Sequence, residues 1–439
     1  MKVMKFGGTS VGKPERMRQV AELITKSEEK TITVLSALSG TTNALVQISD
    51  ALATSNRTLA KELIDKLNDH YNSFIKDLTN SEAHLNKAKS IVDEHFDFLN
   101  VILRISFSDA LNKDILAQGE LLSTKLFCVY LEENNIPHVF LPALEFMSID
   151  AYDEPQVPVI KEKLEAILEK YSGNRLFITQ GYICRNSKGE VDNLKRGGSD
   201  YSASLIAAAV NASVCEIWTD IDGMHNNDPR ICENTKPIEV LSFDEAAELA
   251  YFGAKILHPA SIWPAQHYNV PVKLLNTMQP EAKGTTILEK ASSSGVKAVA
   301  TKDGIYAINI RSSRMLLAYG FLRKVFEVFE KYRTSIDMIT TSEVAVSVTI
   351  DNPAHINEIV KELEPFGTVG VEKGFSIVSI VGNEISETKE VLTKLFDSIH
   401  HIPIRMVSYG GSRHNVSLLL ESQYVKETLQ LLNKGLFNL

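Results

Sequence analysis

No apolar run in this sequence approaches the ~20 residues that a membrane-crossing helix needs. Cysteine is scarce: Cys128, Cys184, Cys215 and Cys232 are dispersed, with no CxxC spacing among them. That pattern argues against a disulfide scaffold or a zinc ribbon, and it predicts buried free thiols in a reducing, cytoplasmic setting. A basic surplus is missing too. Lys and Arg total 46 against 55 Asp and Glu, a formal charge of −9, so nothing is left over to neutralise a nucleic-acid backbone. The first residues run straight into a strand pattern and leave no room for a signal peptide. No GxGxxG follows a strand, which removes a dinucleotide-binding dehydrogenase.

What is present is the composition of a globular protein, 44% hydrophobic and 23% charged. At 439 residues the chain is too long for one ordinary core, so two or three domains are expected. The most informative stretch is Val3-Met4-Lys5-Phe6-Gly7-Gly8-Thr9-Ser10-Val11-Gly12. It reads as a buried strand, a glycine- and hydroxyl-rich turn, then a helix starting near Pro14. Glycines let the backbone approach a ligand, and the N–H groups of such a turn point toward an anion. The helix N-terminus and Lys5 add positive charge, which makes a phosphate site. Gly7 with Gly12-Lys13 nearly spells a Walker A loop. Pro14 then stands where that loop needs a Ser or Thr hydroxyl for Mg²⁺, and proline has no such oxygen. An ordinary strand-to-helix turn stays open from this stretch alone.

Glu15 to Lys30 is an amphipathic helix and Thr31 to Leu35 a buried strand, completing a β-α-β unit with parallel strands. Ser36 to Asn43 is a second small-residue turn opening a helix, and ligands gather at such turns in parallel sheets. Residues 44–133 read as helical, with His70, His84 and His95 exposed or capping and Gln118-Gly119-Glu120 interrupting the pattern. Glu120 then has a bland explanation, a first-turn carboxylate complementing a helix dipole. Strands follow at Ile136 to Leu141 and Arg175 to Gly181, with a helix over Gln156 to Tyr171 between them. Asn186 to Gly189 reads as a hairpin turn.

Lys195-Arg196-Gly197-Gly198-Ser199-Asp200 leads into a small-residue helix. Ser199 or Asp200 is a natural N-cap, and the cluster also suits a carboxylate or phosphate ligand. Cys215 to Thr219 is a strand ending in the acidic turn Asp220-Ile221-Asp222-Gly223, with Asp228-Pro229-Arg230 in the same loop. Turn chemistry alone can account for these acids. Ser242 to Glu245 resembles a capping box on a helix that ends at Tyr251-Phe252-Gly253. His258 before Pro259 reads as structural, and Pro271 to Thr277 as the last strand of this half.

The organisation changes after the linker Ala291 to Gly295. Strand, helix, strand, strand, helix and strand patterns over 304–373 give one β-α-β-β-α-β unit. A second such unit over 374–439 lacks its final strand. Val296 to Thr301 is an unpaired strand pattern upstream, so it is expected to complete that unit, with the first inserted between. No dense cluster of catalytic side chains occurs here, which suits a binding or dimerising module.

Together these segments resemble aspartokinase, of the amino-acid-kinase superfamily. The resemblance rests on Lys5 to Val11, Ser36 to Asn43, Gln118 to Glu120, Gly197 to Asp200, Thr219-Asp220, Asp228 to Arg230, and Phe252-Gly253-Ala254-Lys255 with His258-Pro259. It covers essentially the whole chain. The C-terminal part is similar to the tandem ACT module of the lysine-sensitive, monofunctional branch, through Gly320 to Leu322 and Ile339 to Val344. The chain ends too early for a homoserine dehydrogenase domain.

The fold the resemblance implies is α/β: an amino-acid-kinase fold, with a mostly parallel central sheet between helices, then two ferredoxin-like ACT domains. The implied division is a catalytic domain at 1–290 and a regulatory region at 291–439. Within the latter, the first ACT domain spans about 304–373 and is inserted in a second formed by 296–303 and 374–439. The implied reaction moves the γ-phosphoryl of ATP, with Mg²⁺, onto the side-chain carboxylate of L-aspartate, the first step toward lysine, threonine and methionine. Lys5, Gly7, Gly8 and Asp200 would carry catalysis, with Ser10 also donating to the transferring group. Ser36, Thr42, Glu120, Tyr182, Arg196 and Ser199 would hold aspartate, Arg196 taking the α-carboxylate and Glu120 the α-ammonium. Thr219, Asp220, Asp222, His225, Arg230, Lys255 and Ile256 would hold nucleotide. No metal ligand is assigned to protein side chains.

Lysine would act at Met315, Ala318, Phe321, Leu322, Ser335, Ile336, Asp337, Ser342, Glu343 and Val344, with Asp337 facing its α-ammonium. The implied assembly is a homodimer through the ACT domains, with a tetramer as the next larger form, and neither membrane nor nucleic acid as partner. Three departures from the family pattern occur. His225-Asn226-Asn227 replaces an aromatic and two small hydroxyl residues, Tyr182 replaces phenylalanine, and Ala318 replaces serine. Two alternatives stay open: another amino-acid kinase of the superfamily, and an inactive amino-acid sensor, which would be expected to have lost Lys5, Asp200 or Lys255.

Overall fold

The computed structural model describes residues 1–194, 197–253, 257–291, 295–312 and 319–439. Two compact units divide the chain. Residues 1–224, 239–243 and 257–289 form the first; 225–238, 244–256 and 290–439 form the second. Two segments that precede residue 290 therefore pack with the C-terminal part of the chain.

The first unit opens with β1 (Lys2–Phe6), the one-turn α1 (Gly8–Val11), α2 (Pro14–Thr25), β2 (Thr31–Leu35) and α3 (Thr41–Ala53). Long helices α4 (Arg57–Leu78), α5 (Glu82–Ile102) and α6 (Asp109–Glu133) follow. Then come β3 (Val139–Leu141), α7 (Ala143–Phe146), α8 (Val157–Lys170), β4 (Leu176–Gln180), β5 (Ile183–Arg185), β6 (Val191–Asn193), α9 (Gly198–Ala209) and β7 (Cys215–Thr219). After β8 (Val240–Ser242) the chain forms α10 (Phe243–Tyr251), which from Asp244 onward belongs to the second unit; α11 (Pro259–His267), β9 (Val272–Asn276) and β10 (Thr285–Leu288) complete the first.

Eight of these strands form one sheet in the order β3-β4-β2-β1-β7-β9-β10-β8. All its pairings are parallel except β9 with β10, so the sheet is the expected mostly parallel one. Its central strands β2 and β4 are buried at every position, as a sheet covered on both faces requires. Strands β8 and β10 were not among the expected elements; at three and four residues each they carry too little alternation to read.

The helical hairpins are set by side-chain caps. Asn56, Ser81 and Ser108 accept from the N–H groups of Leu59, His84 and Leu111, starting α4, α5 and α6. Helix α6 runs unbroken through Gln118-Gly119-Glu120, so the expected interruption is corrected. Gly119 is there for contact: a Cβ would lie 2.7 Å from Ala37 Cβ and 3.3 Å from Thr41 Cγ2. His95 is likewise corrected from exposed to buried, 6% accessible, with Nδ1 2.5 Å from Gln118 Oε1 and Nε2 3.0 Å from Lys125 Nζ. All four cysteines are buried free thiols. No described helix is long and apolar enough to cross a membrane.

The second unit carries β11 (Gly295–Arg311), α12 (Phe321–Lys331), β12 (Ile339–Thr341), β13 (Ala345–Ile350) and α13 (Ile356–Leu363). It ends with β14 (Thr368–Asn383), α14 (Val391–Ser398), β15 (Met406–Tyr409), β16 (Asn415–Glu421) and α15 (Val425–Phe437). One six-stranded sheet runs β12-β13-β11-β14-β16-β15. The long strands β11 and β14 each serve two half-sheets. The first part of β11 pairs with Phe375–Asn383 of β14, and its second part with both Thr368–Lys373 and β13. Each half thus has ferredoxin-like strand order, and each packs its helices over its own apolar cluster.

Candidate active site

Four neighbouring strands, β4, β2, β1 and β7, end at the same edge of the first sheet. Their following turns line one cavity of about 570 Å³. After β1 it receives Gly8 and Thr9; after β2, Ser36 to Gly40 with Thr42 and Asn43; after β4, Tyr182; after β7, Thr219 and Asp220. Gly198 and Ser199 of α9 and Glu120 of α6 complete the lining. The carboxyl edge of a parallel sheet is where such sites form.

Three helices begin at this cavity. α1 starts after Gly7, α3 after Gly40 and α9 after Gly197. First-turn N–H groups have no partner within their own helix, so each start offers donors and a partial positive charge. Gly197, rather than Ser199 or Asp200, is the N-cap of α9, which corrects the expected cap. Its φ is +75°, and a Cβ there would sit 2.6 Å from Ser261 Cβ. Ser199 and Asp200 consequently fall in the first turn.

Lys5 is the full charge among these donors. Its ammonium, on a residue only 9% accessible, lies 2.6 Å from Asp200 Oδ1. A Cβ on Gly7 would come within 3.4 Å of Lys5 Nζ, so the glycine keeps the space beside that ammonium open. Ser10 does not join them. It is fully buried, its N–H donates to Gly7 O, and its Oγ is 2.7 Å from Thr277 Oγ1. The Ser10 N–H and hydroxyl thus have partners within the protein, whereas Thr9 faces the cavity.

Opposite chemistry comes from Glu120. It is mid-helix rather than first-turn, 4% accessible, and its Oε1 accepts from the Ala37 N–H at 3.2 Å. Among the described residues Oε2 has no hydrogen-bond partner. Burial pushes its pKa up to about 7 against the opposing pull of the Ala37 N–H and of Lys5. A buried carboxylate oxygen with no donor asks for a cation. Tyr182 holds a left-handed backbone, φ +66°, with its N–H donating to Ser202 Oγ at 2.8 Å. A non-glycine residue in that region at a cavity wall is the kind of strain that sites retain.

The other candidates divide as follows. Asp222, on the loop after β7, is part-buried and does not line the cavity. His225 and Arg230 belong to the second unit. There His225 Nδ1 lies 2.9 Å from Thr235 Oγ1, and the exposed Arg230 pairs with Asp228 at 2.6 Å. Arg196, Lys255, Ile256, Met315 and Ala318 lie outside the described residues. Phe321 is buried at the start of α12 and Leu322 is exposed beside it. Ser335 and Val344 are exposed or nearly so, Ile336 is part-buried, and Ser342 and Glu343 occupy the exposed turn before β13. Asp337 Oδ1 accepts from Lys302 Nζ at 2.6 Å and from Tyr251 OH at 2.8 Å. His258 caps α11, its Nδ1 accepting from the Ala260 N–H, which is the structural role expected of it. Thr9 and Asn43 were missed as individual site residues, although each sits in a turn already singled out for its small and hydroxyl residues.

Comparison with known proteins bears on the same regions. Residues 1–276 match the amino acid kinase family and residues 378–436 an ACT domain. The chain is 32% identical to lysine-sensitive aspartokinase 3 of Escherichia coli, with 99% of both chains covered. It is 35% identical to the chloroplastic aspartokinase 3 of Arabidopsis thaliana, covering 99% of this chain and 81% of that one. Among solved structures, E. coli aspartokinase III in complex with aspartate and ADP (R-state) superposes with a TM-score of 0.85 at 31% identity, with both chains fully covered. The same enzyme in complex with lysine and aspartate (T-state) gives 0.83 at 31%, covering 100% of this chain and 99% of that one.

Proposed function

The chain belongs to the aspartokinases of the amino acid kinase family, and from that premise we propose how its cavity moves the γ-phosphoryl group of ATP onto the side-chain carboxylate of L-aspartate. The observation that carries the reading is the pairing of opposites at one cavity, which Glu120 lines and beside which Lys5 stands on the strand whose following turn lines it. Lys5 and three helix starts suit a polyanion, while Glu120 Oε2, without a partner among the described residues, suits an ammonium. An amino acid that must meet a triphosphate presents both needs.

Aspartate needs no general base, because a carboxylate with reference pKa of about 3.9 is already ionised at neutral pH. The obstacle is repulsion between two anions, so positioning and positive charge carry the catalysis. Lys5 bridges the attacking carboxylate and the γ-phosphate. Asp200 holds the Lys5 ammonium in place and abstracts no proton. The N–H groups at Gly8 and Thr9 donate to the transferring group, while Gly7, whose own N–H goes to Trp218 O, gives it room beside Lys5. Glu120 takes the α-ammonium, Arg196 the α-carboxylate, and Ser36, Thr42, Tyr182 and Ser199 close the polar ring. Thr219, Asp220, Asp222, His225, Arg230, Lys255 and Ile256 take the nucleotide. Mg²⁺ fits as an ion carried in by phosphate oxygens and water: the described residues hold no group of three or more His, Cys, Asp or Glu that could cage a metal, and Asp220 offers one hard oxygen donor at the cavity wall.

The proposal further assigns 1–290 to catalysis and 291–439 to two regulatory ACT domains, and takes L-lysine as the effector. Asp337 supports this: its side chain is fully buried, and Oδ2 has no partner among the described residues. A cytoplasmic homodimer through the ACT sheets completes the reading. The test is a coupled ADP-release assay over aspartate, glutamate and N-acetylglutamate, with turnover expected on aspartate. Turnover confined to another acid would falsify the substrate assignment. Isothermal titration with lysine and threonine checks the effector, and absence of heat from lysine removes it.

A further inference from the structure

Within the first unit, the turn after β2 is held by side chains of α6. At the end of β2 the Leu35–Ser36 peptide still belongs to the sheet: Leu35 O accepts from the Gly181 N–H at 2.9 Å, and the Ser36 N–H donates to Phe6 O at 3.2 Å. The next peptide lies beyond the ladder, and both of its polar groups go to α6. Ser123 Oγ donates to Ser36 O at 2.7 Å, and the Ala37 N–H donates to Glu120 Oε1 at 3.2 Å. One peptide plane is thereby gripped from both sides by residues a turn apart on one helix face. Gly119 permits the approach, since a Cβ there would lie 2.7 Å from Ala37 Cβ.

The Ser123 hydroxyl has one proton and two acceptors in reach. The alternative within its own helix, Glu120 O, is farther away at 3.3 Å and already takes the Thr124 hydroxyl at 2.7 Å. The proton therefore goes to Ser36 O. Ser123 is fully buried, out of reach of bulk water that could replace it. Without its hydroxyl the Ser36 carbonyl would lose that partner, and the peptide would gain by turning to find another. Turning it takes the Ala37 N–H away from Glu120, because both groups belong to one rigid plane.

We infer that Ser123 is a positioning residue for the α-ammonium of aspartate: by holding the Ser36 carbonyl it fixes the N–H that orients the Glu120 carboxylate. This rests on the reading of Glu120 as the ammonium ligand. With Oε1 committed to the peptide, Oε2, which has no partner among the described residues, is the oxygen left for a ligand. The same N–H favours the ionised carboxylate, against the burial that pushes its pKa up to about 7. From other elements, Glu120 is faced by Lys5 on β1, which pairs with Asp200 of α9, by Tyr71 on α4 and by Tyr182 after β4. Burial pushes both phenols up, Tyr182 to about 12, so they stay neutral at neutral pH. Among the described residues Lys5 is thus the charge acting on Glu120 from outside α6, and a substitution at Ser123 leaves it in place.

Steady-state kinetics of the full chain across neutral pH test the inference with Ser123→Ala, Glu120→Gln and the double variant. Ser123→Ala is expected to raise the KM for aspartate roughly tenfold, the scale of one lost buried hydrogen bond to a charged site. The KM for ATP, and kcat at saturating aspartate, should stay within about twofold of the parent. The midpoint of the pH dependence of the aspartate KM should move upward by about half a pH unit or more, a change that loosened packing alone would not produce. The double variant should be no worse than Glu120→Gln, because Ser123 acts through that carboxylate. Equal changes in both KM values, an unmoved midpoint, or simple additivity overturns the inference. Glu120→Gln separates the two ways of failing. If it raises the aspartate KM and Ser123→Ala does not, the positioning role falls alone; if Glu120→Gln has no effect, the ammonium reading falls and takes this inference with it. Should Ser123→Ala not fold, Ser123→Cys, which fills the space with a much weaker donor, is held to the same outcomes.

Discussion

Each unit of this protein has a lysine ammonium 2.6 Å from a sparingly exposed aspartate, Lys5 with Asp200 in the first and Lys302 with Asp337 in the second. Their surroundings differ. Among the described residues Lys5 pairs with one carboxylate, and it stands beside glycines on the strand whose following turn lines the cavity. Lys302 has a second carboxylate, Asp351 at 2.8 Å, and lies over the Tyr251 ring at 4.6 Å, while Tyr251 OH shares Asp337. Burial works against charge on Lys302, yet the hydrogen bonds it donates to Asp337 and Asp351 hold its pKa above the ordinary value. Among the described residues the first ammonium keeps one ion partner and open space beside it, as the proposed meeting with an anion needs. A lysine that must stay put is given two carboxylates and a ring.

The sharpest break of this comparison is substitution of each lysine. Lys5→Ala should lower kcat by at least ~100-fold, the scale of a lost electrostatic contact in the transition state, with little change in melting temperature. Lys302→Met should do the reverse, lowering stability by about 2 kcal/mol in denaturant titration because it strands Asp337 without its cation, while kcat without effector stays within about twofold. Equal kinetic losses from both would erase the distinction.

Glu120 gives the next largest effect. Because its pKa is pushed up to about 7, the form that binds an ammonium is lost below that pH. The KM for aspartate should therefore rise about tenfold per unit as pH falls below 7. In Glu120→Gln the KM should be high and flat, so a parent profile without that slope counts against the assignment. The folded-state pKa exceeds the ordinary value of 4.5, so this group stabilises the unliganded chain below about pH 4.5 and that contribution is lost as pH rises through about 7. Glu120→Gln should flatten this part of the melting profile. The smallest effect is Gly119→Ala, whose added Cβ meets Ala37 and should cost about 1 kcal/mol by crowding, read as a lower melting temperature.

Local signals carried far in some places and stopped in others. The β-α-β opening, the turns at Gly7 and Gly40 and the capped helices were legible because each depends on a few consecutive residues: buried runs, small residues, a side-chain cap. Glu120 was legible as a resemblance but not as geometry. A glycine in mid-helix looks like a break until Ala37 is seen against it. Ser10 points the other way; its hydroxyl looks available in the sequence and is taken by Thr277, 267 residues later. Likewise β11 reads as two strands because a strand pairing with two different partners along its length has no local signature.

The amino-acid order by itself determined the periodicities, the glycine turns, the absence of basic and apolar excess, and hence an α/β fold with a lysine beside a glycine turn. Tertiary structure alone decided which polar groups stay open and which are consumed: among the described residues Glu120 Oε2 is left without a partner, while Ser10 is engaged by Gly7 and Thr277. The reason is physical. A polar group's chemistry depends on what satisfies it once water is gone, and its partner can come from hundreds of residues away.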